Sequence, residues 1–216
     1  MLIIHHLQRS QSERIIWLCE ELQLPYELKL YQRSPLLSPP ELQALHPSKS
    51  APIIQDGPTT LAESGAIFEY ILTKHNPSGK LTIPPSAPNY ADYLYYLHFA
   101  NGTFQPALLR YKIISRLDLP SENFSAQLAR RSFQRALEIL DDRLQKSTWL
   151  AGEEFTAADV MIVVTLTTMR LFIPFEVDGY LGILGFLGRV GEREGYRRAR
   201  ERGGPGLGLL LEGSGL

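Results

Sequence analysis

The 216 residues carry 22 Lys+Arg against 23 Asp+Glu, a formal charge of -1, and a single cysteine, Cys19. That balance supplies no electrostatic footprint for nucleic acid or an anionic membrane, and one cysteine excludes an intrachain disulfide and a cysteine metal cluster. No apolar run reaches the ~18 residues that span a bilayer, and Met1 to His5 begins directly as a strand without a basic leader. A soluble, cytoplasmic protein is expected, with no metal and neither nucleic acid nor membrane as partner.

In chain order, Leu2 to His5 reads as a strand, Ser12 to Leu24 as a helix and Glu27 to Tyr31 as an alternating strand. Such a βαβ unit implies a parallel pair with a right-handed crossover. Pro52 to Gln55 and Thr59 to Ala62 flank Asp56-Gly57-Pro58, a turn short enough for antiparallel neighbours. A helix from Ser64 to about His75 completes a βαβ plus ββα order, which reads as a thioredoxin-like α/β domain over residues 1–77. Residues 78–88, rich in proline with Ser and Gly nearby, read as a linker.

From residue 89 to 216 the pattern is all-helical. Tyr90 to about Arg116 is aromatic-rich, Ser125 to Lys146 is amphipathic, and Thr156 to Phe172 is apolar on nearly every face and so belongs at the centre of a bundle. Thr156-Ala157-Ala158-Asp159 is a capping box, with Phe155 and Val160 placed as a hydrophobic staple. Asp159 is therefore read as a fold determinant. Arg189, Arg193, Arg197, Arg198, Arg200 and Arg202 interleave with Glu192, Glu194 and Glu201, which reads as a solvated helix face. The Gly/Leu tail beginning at about residue 203 has no clear period.

Two segments carry the chemistry. Ala51-Pro52-Ile53-Ile54 opens a strand at a proline, and a cis bond there would turn the Ala51 backbone outward to pair with an extended peptide. Eleven residues on, Glu63-Ser64-Gly65-Ala66-Ile67 opens a helix, where the Ser64 hydroxyl and the first unpaired N–H groups face an arriving carboxylate. Here the chain resembles the cytosolic glutathione transferases, whose glutathione-binding domain carries this proline and this Glu/Gln-Ser pair.

The resemblance extends to Leu7-Gln8-Arg9-Ser10-Gln11-Ser12-Glu13-Arg14, similar to the catalytic loop of the serine-type, theta-like fungal and bacterial group. A free thiol with pKa near 8.5 is only a few per cent ionised at neutral pH, and a hydroxyl at a helix N-terminus can stabilise the thiolate. Taken alone, Ser10 is better read as an N-cap, since Ser10-Gln11-Ser12-Glu13 is itself a capping box. Convergence with Pro52 and Glu63-Ser64 reverses that order. Ser12 is the second catalytic candidate, and Arg14 is read as a brace for the loop. His5 and His6, without a carboxylate or cysteine at ligand spacing, are read as structural or solvent-facing.

The resemblance implies glutathione as co-substrate, held by Ala51, Pro52, Glu63 and Ser64. Before the proline this chain has Lys49-Ser50 where many members have lysine two residues ahead of it. Two readings stand for Lys49: it reaches the glycine-end carboxylate through a shifted loop with Ser50 beside it, or it is solvated. Tyr95 to Pro106 is similar to the family's fourth-helix segment, and Pro106 should kink or break that helix. Asn101, Phe104, Gln105, Leu108 and Tyr111 are candidates for an apolar acceptor pocket, with core packing as the competing reading for each.

The implied activity is conjugation of glutathione thiolate to a hydrophobic small-molecule electrophile by a homodimer. A glutathione-dependent cis-trans isomerase and a non-catalytic assembly module are the alternatives.

Overall fold

The computed structural model describes residues 1–35, 37–117, 119–120 and 122–213. The chain divides into two compact units, residues 1–82 with 190–210, and residues 83–189 with 211–216. Residues 190–210, expected within the helical domain, thus pack with the first unit.

The first unit is built on a four-stranded mixed sheet of β1 (Leu2–Leu7), β2 (Tyr26–Tyr31), β3 (Ile53–Asp56) and β4 (Thr59–Ala62) in the order β2-β1-β3-β4. β1 runs parallel to β2 and antiparallel to β3, with His6 opposite Leu30 and His5 opposite Ile53. Asp56 faces Thr59 across the hairpin. Gly57 takes φ 58° there, as a two-residue loop with glycine at its first central position requires. Between the strands lie α1 (Glu13–Leu22) and the short α2 (Pro40–Gln43), and α3 (Ser64–Lys74) follows β4. This is the expected thioredoxin-like order with one addition. α2 escapes the sequence pattern because four residues cannot establish a helical period.

Ile4, Ile15, Ile16, Leu18, Ile53, Ile54, Phe68 and Ile71 form the buried interior of this unit. Cys19 is fully buried among them, and burial raises its thiol pKa, which leaves it protonated and inert. His5 lies between two side chains of the sheet, 3.0 Å from the Tyr31 hydroxyl and 3.0 Å from Gln55 Oε1.

The second unit is helical. α4 (Tyr90–Phe99) passes through a π-helical stretch, Ala100–Phe104, into α5 (Gln105–Ser115). Pro106 was expected to kink or break this helix. It sits in the first turn of α5, directly after the π-helical stretch, a position where the N–H that proline lacks is not needed. α6 (Phe124–Leu144), α7 (Ala157–Leu166) and a 3₁₀ turn, Thr168–Leu171, follow. Every residue of α7 is buried, as its all-round apolar sequence requires. Its capping box forms: Thr156 N–H donates to Asp159 Oδ2 at 2.8 Å, and Leu150 N–H donates to Asp159 Oδ1 at 2.9 Å.

α8 (Leu181–Glu192) leads to α9 (Glu194–Gly203), and α9 is the main departure from expectation. The solvated face is only part of what its arginines form: Arg197, Arg198 and Arg202 are exposed, and four arginines in and beside the helix hold the acidic residues of α1. Arg193 grips Glu21 bidentately at 2.8 and 2.7 Å. Arg198 and Arg202 converge on Glu20 at 2.9 and 2.7 Å, and Arg200 meets Glu13 at 2.6 Å with both side chains buried. Tyr196 packs edge-on against Trp17, and a side chain at Gly195 would collide with Glu21. Intrahelical charge alternation and an arginine stripe matched to acids on another helix look alike in one dimension, which is why the sequence pattern misleads here. Among the described residues, no helix is long and apolar enough to cross a membrane.

Candidate functional site

The β1–α1 loop turns tightly. Arg9 takes φ 56°, its carbonyl accepts from Arg33 at 2.8 Å, and backbone bonds from Glu13 N–H to Ser10 O and from Arg14 N–H to Gln11 O start the helix. The capping box anticipated across Ser10 to Glu13 does not form. Ser10 Oγ accepts from Ser12 N–H at 3.2 Å, and the Glu13 carboxylate is engaged by Arg200. Ser10, 9 % exposed, lies 2.7 Å from Ser12 Oγ; Ser12 is fully buried and lies a further 2.7 Å from His6 Nδ1. The site therefore contains a pair of serines, of which only Ser10 retains access.

Arg14 connects this loop to the second motif. Its side chain is fully buried, and one terminal nitrogen donates to Gln11 Oε1 at 2.9 Å and to Ser64 Oγ at 3.3 Å. Burial lowers the guanidinium pKa to about 9 against the opposing pull of Glu13, so it is charged at neutral pH. A buried cation bridging the serine loop to Ser64 makes the two motifs one hydrogen-bonded assembly. Glu63 precedes α3 at φ 71°, a conformation costly for a residue with a side chain. That turn leaves Glu63 exposed while Ser64 is buried at the first helical position. A Cβ on Gly65 would meet nothing within 4 Å, so the helix start borders open space.

The Ala51–Pro52 bond is cis, and Pro52 is buried immediately ahead of β3. Lys49 takes φ 52° and, like Ser50, has an exposed side chain. Ser10, Ser12, Lys49, Ser50, Ala51, Pro52, Glu63 and Ser64 all belong to the first unit.

The five acceptor candidates belong to the second unit and separate into different environments. Phe104 and Leu108 are fully buried, Phe104 stacking between Phe99 and Phe133, so both are core residues there. Gln105 is nearly buried and Asn101 partly so. Tyr111 borders a cavity of about 470 Å³ shared with Phe133, Phe175, Arg130 and Tyr180. A helical period identifies which residues share a face, but does not distinguish a wall facing space from one facing another helix.

Two contacts of this assembly carry little or no local signal in the sequence. His6, read from the sequence as structural or solvent-facing, is buried and lies 2.7 Å from Ser12 Oγ. Its signal is the His5-His6 pair inside a short, otherwise apolar strand. The Arg14–Ser64 bond spans 50 residues and has no local signal.

Residues 9–81 match the family model for the glutathione S-transferase N-terminal domain, and residues 121–201 match that for the C-terminal domain. Glutathione S-transferase 1 of Saccharomyces cerevisiae is 36 % identical over 92 % of this chain and 94 % of its own. Glutathione S-transferase 3 of Schizosaccharomyces pombe is 33 % identical over 74 % of this chain and 70 % of its own. Among solved structures, a glutathione S-transferase from Actinobacillus pleuropneumoniae superposes with a TM-score of 0.87 at 31 % identity, covering 97 % of this chain and 95 % of that one.

Proposed function

The chain belongs to the glutathione S-transferase family, and we propose that it conjugates glutathione to a hydrophobic electrophile with Ser10 as the donor to the thiolate. The observation that carries this reading is the Arg14 bridge from Gln11 to Ser64, which ties the loop proposed for the sulfur to the helix start proposed for the γ-glutamyl end. In this reading Ala51 and Pro52 hold the cysteinyl backbone. Glu63 and Ser64 hold the γ-glutamyl group, whose carboxylate gains from the positive end of α3. Lys49 and Ser50, exposed beside the proline, are proposed for the glycine-end carboxylate. The homodimer implied by the resemblance is carried forward in the same proposal.

Ser10 acts by differential stabilisation. A hydrogen bond to a thiolate is charge-assisted, whereas one to the neutral thiol is weak, so the bond favours ionisation. Lowering a thiol pKa by ~2 units takes roughly 2.7 kcal/mol of such preference. The thiolate then attacks the electrophilic carbon as the leaving group departs, with the reactants' encounter made intramolecular by binding. Retention of both serines and the Glu63-Ser64 pair supports an enzyme over an assembly module. Conjugation of an activated aryl halide is the test: Ser10→Ala should slow kcat/KM by about 10- to 100-fold, ~1.4 to 2.7 kcal/mol, with glutathione affinity nearly unchanged. Full activity in folded Ser10→Ala would sink the serine mechanism.

A further inference from the structure

Behind Ser10 runs a chain of short hydrogen bonds that the proposed reaction does not use. Ser10 Oγ lies 2.7 Å from Ser12 Oγ, Ser12 Oγ lies 2.7 Å from His6 Nδ1, and His6 Nε2 lies 2.7 Å from the carbonyl oxygen of Gly203 at the end of α9. All four residues belong to the first unit, and both His6 and Ser12 are fully buried.

The protons in this chain have a direction, and the last acceptor fixes it. A carbonyl oxygen only accepts, so His6 Nε2 must carry a proton. Burial, reinforced by the Arg200 guanidinium and opposed by the Gly203 bond, lowers the imidazole pKa to about 4. The ring is therefore neutral at physiological pH, and with its one proton on Nε2 it presents Nδ1 as an acceptor. The Ser12 hydroxyl donates to that nitrogen at 2.7 Å in preference to the Leu7 carbonyl at 3.3 Å. Its proton spent, Ser12 can meet Ser10 only as an acceptor, so the Ser10 hydroxyl donates inward. The reverse arrangement would oppose two lone pairs at 2.7 Å.

We infer that His6 is a positioning residue which, through Ser12, directs the Ser10 hydroxyl proton inward, so that Ser12 and the sulfur of bound glutathione compete for the same proton. The inference rests on the reading of Ser10 as the sulfur's donor. Thiolate stabilisation then requires Ser10 to give up an existing short bond. Ser12 restrains the ionisation that Ser10 promotes. The fit of α9 to the sheet takes part as well: a Cβ on Gly203 would come within 3.1 Å of His6 Nε2 and 2.8 Å of Ile16 Cδ1, so the backbone packs closely against the ring.

Ultraviolet titration of the thiolate of bound glutathione in the full chain tests this, with melting curves to verify folding. Ser12→Ala removes the competing acceptor and should lower the bound thiol pKa by ~0.5 to 1 unit, about 3- to 10-fold more thiolate below the midpoint. Ser10→Ala should raise the pKa, and the double variant should match Ser10→Ala, because Ser12 acts only through Ser10. His6→Leu should also lower the pKa by freeing the Ser12 proton to turn towards Ser10, and His6→Asn, whose amide oxygen accepts, should return it towards the parent value. The two His6 variants decide the matter if Ser12→Ala does not fold. An equal Ser12→Ala shift with and without Ser10 would reduce Ser12 to a structural role and overturn the inference. So would a raised or unchanged pKa in Ser12→Ala while Ser10→Ala still raises it. If Ser10→Ala leaves the pKa at its parent value, the reading of Ser10 fails, and the inference falls with it.

Discussion

Ser64 is a buried hydroxyl already held by a cation, since Arg14 donates to it at 3.3 Å. The guanidinium behind this hydroxyl favours negative charge at the start of α3. Ser64→Ala is expected to weaken glutathione binding by roughly 1.5 to 3 kcal/mol, the range for a lost charge-assisted bond, with folding preserved. Calorimetry giving parent affinity would remove Ser64 from the site. His6 makes a different prediction. Its folded pKa of about 4 lies below the ordinary 6.5, so the unfolded chain binds more protons between those values. The stability it contributes is complete above pH 6.5 and is lost as pH falls towards 4, on the order of 3 kcal/mol. Asp159 opposes it, because burial raises its carboxyl to about 6 and the folded state gains that proton on acidification. Overall acid stability is thus a poor probe of either group. Nitrogen NMR is a direct one: the His6 ring should stay neutral at pH 5.5, and protonation near 6.5 would contradict the geometry that fixes its tautomer.

At the scale of elements, α9 is a structural component of the first unit. Removing one partner of a buried charge-assisted hydrogen bond costs about 1.5 to 3 kcal/mol where, as for Glu13 beside Arg14, a second cation remains. Arg200→Ala should destabilise the protein by that amount through Glu13, the first residue of α1 and the neighbour of Ser12. Denaturant unfolding showing a loss below ~1 kcal/mol would make the pair incidental. Asp159 operates at the other end of the chain's logic. Asp159→Ala leaves the Leu150 and Thr156 N–H groups unpaired in a buried site and should cost about 2 to 4 kcal/mol, without reducing turnover of the folded protein. Loss of turnover at an unchanged melting temperature would give Asp159 a chemical role. These two cases separate what sequence makes legible. The Asp159 cap is written within four consecutive residues and could be read directly. The Arg200–Glu13 pair joins positions 187 residues apart, and a run of alternating charge is equally consistent with a wet surface.

Across the whole molecule, the mixed sheet and the helical unit follow from local patterns: short strand-forming runs bounded by turns with clear alternation in β2, apolar faces in the helices, prolines in the linker. The sequence reading also located Ser10, Ser12, Pro52 and the Glu63-Ser64 pair as motifs. It could not describe the wiring among them. Arg14 to Ser64, Ser12 to His6 and His6 to Gly203 are contacts that exist only after β1, α1, α3 and α9 have packed. The acceptor candidates show the same limit from the other side, since Phe104, Leu108 and Tyr111 share a sequence pattern, yet Phe104 and Leu108 are fully buried while Tyr111 lines a cavity. Ionisation of the glutathione thiol through Ser10 is the action proposed for this assembly. Ultraviolet difference titration of the parent complex against its Ser10→Ala variant measures that ionisation itself. A bound thiol pKa ~1 to 2 units below the ordinary 8.5 in the parent, returning towards 8.5 in the variant, is the predicted result. A parent value already at 8.5, or a depressed value that survives the loss of the Ser10 hydroxyl, would contradict it.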